Sequence, residues 1–353
     1  LITPTRFAQL GRGRAAAVVA LWACITGWLL VSAARAGAPG SGGAPTAGPA
    51  GGDVAFYKAV VARVRAGEGY YDVVGEELRA RHYPVRPAFT WRQPTYAWLL
   101  AHLPSPLVAT GLLGAVAAAV VWLARAWLGA SGPGARSLAV LAVLAVSAAA
   151  ALAPDYVFLQ EAWAGFFITL SVCLYARERW AAAVVAGLAA LAFRELALWP
   201  CLAALALAVL DRRWREVAAW TAGLGTYGAL LAVHFAHAAA HVRPDDLARG
   251  WVAVGGGAFI IATARWSPLF VALPPAAVAV ALPIALLGLG GWRAPGAGRA
   301  ALIVFGYLAA FAFVGHWFND YWGAMYAPLL AFGVIAAPAC LRDLARSLRP
   351  SPV

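Results

Sequence analysis

Charge is scarce in this chain. Only 12% of its 353 residues are Asp, Glu, Lys or Arg, about half the share of a soluble domain. Lys58 is the single lysine. That scarcity excludes a disordered chain, a fibrous one and an ordinary soluble enzyme. Cysteine is equally sparse. Cys24, Cys173, Cys201 and Cys340 each lie in an apolar run and form no CxxC pair, so they read as small buried hydrophobes rather than disulfide or metal ligands. No P-loop, no GxGxxG after a strand and no HExxH occurs. Internal repeats are absent too. Gly255-Gly256-Gly257 is a lone glycine run and reads as a flexible outer loop.

What is present is apolar. Hydrophobic residues make up 63% of the chain and the mean hydropathy is +0.75, the profile of an all-α polytopic membrane protein. A span needs about 20 apolar residues. Ten runs qualify or nearly so: 15–35, 105–124, 137–153, 157–176, 180–193, 196–210, 216–236, 269–290, 300–317 and 321–341. The fifth and sixth are short and flank Arg194-Glu195. Basic flanks lie on the same side of both (Arg177 and Arg179, Arg212 and Arg213), so they read as a hairpin that turns at Arg194-Glu195. A charge at that depth is expected to be paired or to line a wet cavity.

Basic residues set the orientation. Every second loop is rich in arginine: 6, 12 and 14; 125 and 136; 177 and 179; 212, 213 and 215; 293 and 299; 342, 346 and 349. The positive-inside rule then places both termini in the cytoplasm. The net charge of +12 follows from that asymmetry rather than from nucleic-acid binding. Most acids and all six histidines fall on or near the opposite, periplasmic face. The expected layout is a cytoplasmic 1–14, a first helix 15–35 and a periplasmic loop 36–104. Six further spans across 105–236, a periplasmic loop 237–268, three spans across 269–341 and a cytoplasmic tail 342–353 follow. The first run also fits a signal peptide, with Ala34-Arg35-Ala36 as its cleavage site. Leu1 fits either an alternative start or a truncation.

The loop 36–104 opens with a Gly/Pro/Ala linker, 36–52. Phe56, Tyr57, Val60, Val61 and Val64 then recur at helical spacing opposite Lys58, Arg63 and Arg65, as in an amphipathic helix lying on a membrane surface. A polar stretch with Tyr70-Tyr71-Asp72 and Glu76-Glu77 follows, then a Pro- and aromatic-rich approach to the next span.

One helix, a large outer loop with an early Asp and surface helices, then many spans: this layout resembles the GT-C superfamily of integral-membrane glycosyltransferases, which use polyprenyl-phosphate-linked sugars. Asp53-x-x-x-Tyr57, Gly69-Tyr70-Tyr71-Asp72 and Arg92-Gln93-Pro94 are most similar to its mannosyl- and arabinosyltransferase-like branches. The high Ala, Gly and Arg content with a single lysine points to a GC-rich bacterial genome and so to an inner membrane, and the charge placement turns the active face to the periplasm. The resemblance implies a transferase. Its donor would be a lipid-linked sugar, and its acceptor an envelope glycan, lipid or protein. It implies Asp53 as the catalytic base and Asp155, in Ala153-Pro154-Asp155-Tyr156, as a second acid. The chemistry needs such groups: a carboxylate takes the proton of the attacking hydroxyl, and an arginine holds the departing phosphate bidentately.

Arg194, Glu195, Glu161, Asp72, Arg92, His316, Asn319 and Asp320 are the candidate donor and acceptor contacts. Each has a plainer reading. Asp53 and Asp155 also suit helix caps. Asp72, Glu76 and Glu77 suit a solvated loop. Arg194-Glu195 suits a mutual ion pair closing its hairpin, and Trp317, Tyr321 and Trp322 suit an interfacial aromatic belt. His234, His237 and His241 share one helix face at zinc-ligand spacing, but no companion carboxylate is evident and no metal ligands are assigned. Cofactor need, a divalent ion included, is left open. Other functions in view are a transporter or lipid flippase, which would normally show repeated halves and mid-membrane charge, and a silent scaffold of envelope polysaccharide biosynthesis.

Overall fold

The computed structural model describes residues 4–36, 52–129, 134–250 and 253–349. The linker expected over 36–52 falls almost wholly outside these residues. Fourteen α-helices form among them: α1 (Arg12–Ala36), α2 (Gly52–Arg65), α3 (Tyr70–Ala80), α4 (Pro94–His102), α5 (Pro106–Gly129), α6 (Ala135–Ala150) and α7 (Gln160–Ala176). The rest are α8 (Trp180–Phe193), α9 (Leu198–Leu210), α10 (Trp214–Ala240), α11 (Gly256–Ala264), α12 (Pro275–Gly291), α13 (Ala297–Phe313) and α14 (Ala327–Ser347). Short 3-10 turns join several of them, and no strand occurs among the described residues beyond one isolated bridge, Arg86 to Ala248.

Three helices, 12–35, 106–128 and 327–347, are long and apolar enough to cross a membrane, and five more apolar helices are shorter. Among the described residues the fold is all-α and suits a membrane protein. The exposed large side chains fit this: Leu107, Trp122, Leu138, Val185 and Leu230 cover the outside of a bundle, where a soluble protein would carry charge. Small residues let the bundle close. At Gly288 a Cβ would run into the carbonyl of Gly333, so α12 and α14 touch backbone to backbone. Gly165 of α7 meets the backbone of Ala324 in the same way.

Several boundaries differ from the sequence reading. The tenth run does not start at 321. Residues Trp317–Met325 form 3-10 turns, and α14 begins at Ala327 and continues to Ser347. The ninth ends at Phe313 rather than 317, and the eighth begins at Pro275 rather than 269. The glycine run opens α11, whose Phe259, Ile260 and Ile261 are buried, so this part of 237–268 packs in the bundle instead of forming a loop. Gly257 makes that possible by sitting against Ser32 of α1. The polar stretch after Gly69 is helical as well. In α3, Tyr70, Val73, Val74 and Leu78 are buried at helical spacing, and Glu76 and Glu77 pair with Arg63 of α2. By contrast α2 buries Phe56, Tyr57, Val60 and Val61, the face its periodicity marks, and the chain does break between α8 and α9 at Arg194-Glu195.

Candidate functional site

The segments 81–96, 151–159, 241–250 and 314–326 come together around one site. Backbone N–H groups of Val85 and Arg86 donate to the Leu247 carbonyl, and that of Arg249 donates to the Arg86 carbonyl. The Tyr96 hydroxyl donates to the Phe158 carbonyl at 2.7 Å. Between these loops lies a cavity of about 960 Å³. Its wall includes Asp53, Tyr57, Tyr83, Arg92, Tyr96, Gln160, Trp266, His316, Asn319, Tyr321 and Trp322.

Asp53 stands in the first turn of α2. The Tyr83 hydroxyl donates to its Oδ1 at 2.5 Å, and the Tyr321 hydroxyl to its Oδ2 at 2.8 Å. Burial, and then the neighbouring Asp53 charge, raises both tyrosines above the ordinary phenol value, so both remain donors. A carboxylate offers about four lone-pair sites. The two tyrosines use two of them.

Arg92 is the inner cation. It lies in the connection ahead of α4, with its Nε 3.4 Å from the Tyr57 hydroxyl and its guanidinium 3.5 Å from Glu195. The sequence sets it firmly. The Tyr70 hydroxyl holds its carbonyl at 2.5 Å, and the next residue, Gln93, is buried and donates to Tyr227 at 2.8 Å. Gln160 also lines the cavity. It is 1% exposed and its side-chain oxygen has no hydrogen-bond partner among the described residues, so a ligand donor could satisfy it.

Arg194, Glu161 and the partly exposed Glu195 form one network, but none of the three is part of the cavity wall. Arg194 Nε is 2.6 Å from Glu161 and its Nη1 2.5 Å from Glu195. Arg194 and Glu161 are both fully buried. The Arg194 guanidinium also sits 5.9 Å from the ring centre of Trp322, and Trp322 faces the cavity. Arg194 is therefore engaged by two carboxylates behind the wall, while Arg92 reaches the wall and shares Glu195. Glu161 occupies the first turn of α7, where the helix dipole favours its negative charge.

The remaining candidates separate. Asp155 forms an exposed ion pair with Lys58 and does not line the cavity, so Asp53 and Asp155 do not meet there. Asp72 is an exposed partner of His241 at 3.3 Å, also away from the wall. Asn319 is buried and lies 3.4 Å from the Tyr321 hydroxyl. His316 donates from Nε2 to the Gly250 carbonyl at 2.9 Å. Asp320 stays off the wall; burial raises its carboxyl above the ordinary aspartate range while a hydrogen bond from Trp266 opposes the rise. The three spaced histidines face Tyr71. His237 and His241 stack on it, and its hydroxyl donates to Nδ1 of His234 at 3.1 Å. Among the described residues no group of three His, Cys, Asp or Glu side chains is arranged to hold a metal.

The clamp on Asp53 has no counterpart in the sequence reading. Tyr83 and Tyr321 come from segments far apart in the chain, and neither shows a motif. Comparison with family models, with curated proteins and with solved structures finds no match.

Proposed function

We propose that this protein is a membrane glycosyltransferase, moving a sugar from a polyprenyl-phosphate donor to an envelope glycan, lipid or protein acceptor. In this reading about ten helices span a bacterial inner membrane, both termini are cytoplasmic, and the cavity faces the periplasm. The observation that carries it is the pairing of a clamped carboxylate and a fixed guanidinium, Asp53 and Arg92, on the wall of one cavity large enough for a sugar and part of its carrier. The acceptor hydroxyl gives its proton to Asp53 as its oxygen bonds to the anomeric carbon. The bond from that carbon to the phosphate oxygen breaks, its electron pair leaves with the polyprenyl phosphate, and Arg92 meets the developing charge. One displacement of this kind inverts the anomeric centre. The aromatic wall supplies faces for sugar rings.

The test is transfer from a radiolabelled polyprenyl-phosphate sugar by the reconstituted protein. Asp53→Asn keeps the shape and an acceptor for one of the two tyrosines, and removes the base. Loss of transfer with an unchanged elution profile is expected. Transfer near the parent rate would end the assignment of Asp53.

A further inference from the structure

The cavity carries more positive charge than a single donor phosphate uses. Three arginines line it, with one carboxylate, Asp53. Arg92 is partnered by Glu195 and Arg81 by Glu77. Arg249 differs: it is exposed, and among the described residues no carboxylate lies within ion-pair distance of it. Its place is nonetheless built. Its backbone N–H is held by the Arg86 carbonyl at 3.1 Å, and its guanidinium lies 5.7 Å from the ring centre of Phe318. Phe318 stacks in turn on His316 with the planes 3° apart, and His316 is tied to the Gly250 carbonyl. Arg249, Gly250, Trp317 and Phe318 are lining residues that are also exposed, so they mark the mouth, while buried Tyr57, Tyr96 and Gln160 mark the floor.

We infer that Arg249 at the mouth binds an anionic group, a carboxylate or phosphate, carried by the acceptor saccharide. This rests on the reading of the cavity as a transfer site. The donor phosphate belongs with buried Arg92 on the inner wall, so a second cation at the open side serves the molecule that enters from water. A planar guanidinium already positioned over an aromatic ring presents its fork to a carboxylate or phosphate. Trp317, 64% exposed and edge-on to the same Phe318, offers a flat apolar face to a sugar ring.

The experiment is a saturation-transfer NMR titration of the full protein in phosphatidylcholine nanodiscs with glucuronate, glucose 6-phosphate and glucose. Both anions should bind at least tenfold more tightly than glucose. Arg249→Gln should bring the three affinities within about twofold, and Arg249→Lys should keep part of the preference. Equal affinities in the parent, or an anion preference that survives Arg249→Gln, would overturn the inference. Nanodiscs of phosphatidylglycerol separate the sources of charge: if they abolish anion binding, the group recognised is a lipid headgroup and the acceptor assignment falls. Binding needs no turnover, and Asp53→Asn should bind the anions at least as well as the parent. A failure of Asp53 as base therefore leaves this result readable by itself.

Discussion

Replacing Arg194 by methionine should destabilise the protein far more than replacing it together with its partner. Arg194 and Glu161 are both fully buried and 2.6 Å apart. Arg194→Met keeps most of the side-chain volume but takes from the Glu161 carboxylate the cation in contact with it, leaving Arg92 to act at longer range. Stranding one member of a buried pair costs about 3–5 kcal/mol, a factor of roughly 10² to 10³ or more in the folded-to-unfolded ratio. Glu195 suffers less, because it is a quarter exposed and keeps Arg92 at 3.5 Å. The double variant Arg194→Met/Glu161→Gln removes the stranded charge, and replacement of a whole buried pair is often close to neutral. It should recover more than half of the loss, giving a coupling energy of about 2 kcal/mol or more. The assay is reversible unfolding by sodium dodecyl sulfate in mixed micelles, followed by far-UV circular dichroism. A single variant costing under about 1 kcal/mol, the cost typical of an exposed pair, would refute the reasoning. So would a double variant no better than the single one.

Three further outcomes are expected. Tyr321→Phe and Tyr83→Phe each remove one hydrogen bond to a charged acceptor, about 1.5–3 kcal/mol, so each should lower the unfolding free energy in the same micelle assay by about that amount; an unchanged value would count against the clamp. Arg79 hydrogen-bonds Asp246 at 2.7 and 2.8 Å and holds its carboxyl below the ordinary aspartate value of about 3.8. That contribution is complete above the ordinary value and is lost as pH falls through the folded one, so thermal stability should drop below about pH 4, and Asp246→Asn should flatten that limb; identical limbs would contradict it. A cysteine placed at exposed Ala66 should react with an impermeant maleimide from the periplasm and one at Arg213 only after the membrane is opened; the reverse pattern would overturn the proposed orientation.

Much of the fold was legible because burial leaves a period. Phe56, Tyr57, Val60 and Val61 mark α2 without any structure, and Arg194-Glu195 marks the break between α8 and α9 by charge alone. α3 shows the same spacing in Tyr70, Val73, Val74 and Leu78, but Gly75 and two glutamates disguise it. α11 was illegible for another reason: glycine there permits close helix approach rather than loop freedom, and only the neighbouring Ser32 reveals that. The site divides along the same line. Asp53 and Arg92 stand in local patterns, whereas the tyrosine clamp and the Arg194–Glu161 contact are set by packing between distant segments. Local reading gave Arg194 its neighbour Glu195 as partner and could not supply the second carboxylate from α7.

The bond between Tyr321 and Asp53 joins residues 268 positions apart. Synthesis runs at about 5–20 residues per second, so roughly a quarter to nearly a full minute separates the emergence of the two. During that interval the earlier helices are made, yet the carboxylate lacks one of its two donors and the cavity lacks the wall contributed by 316–322. Under the transferase proposal, catalytic competence is among the last properties a nascent chain acquires, arriving only when its final hairpin enters the bundle. A half-made chain in the membrane would hold its acid and its arginine without the enclosure that makes them a site.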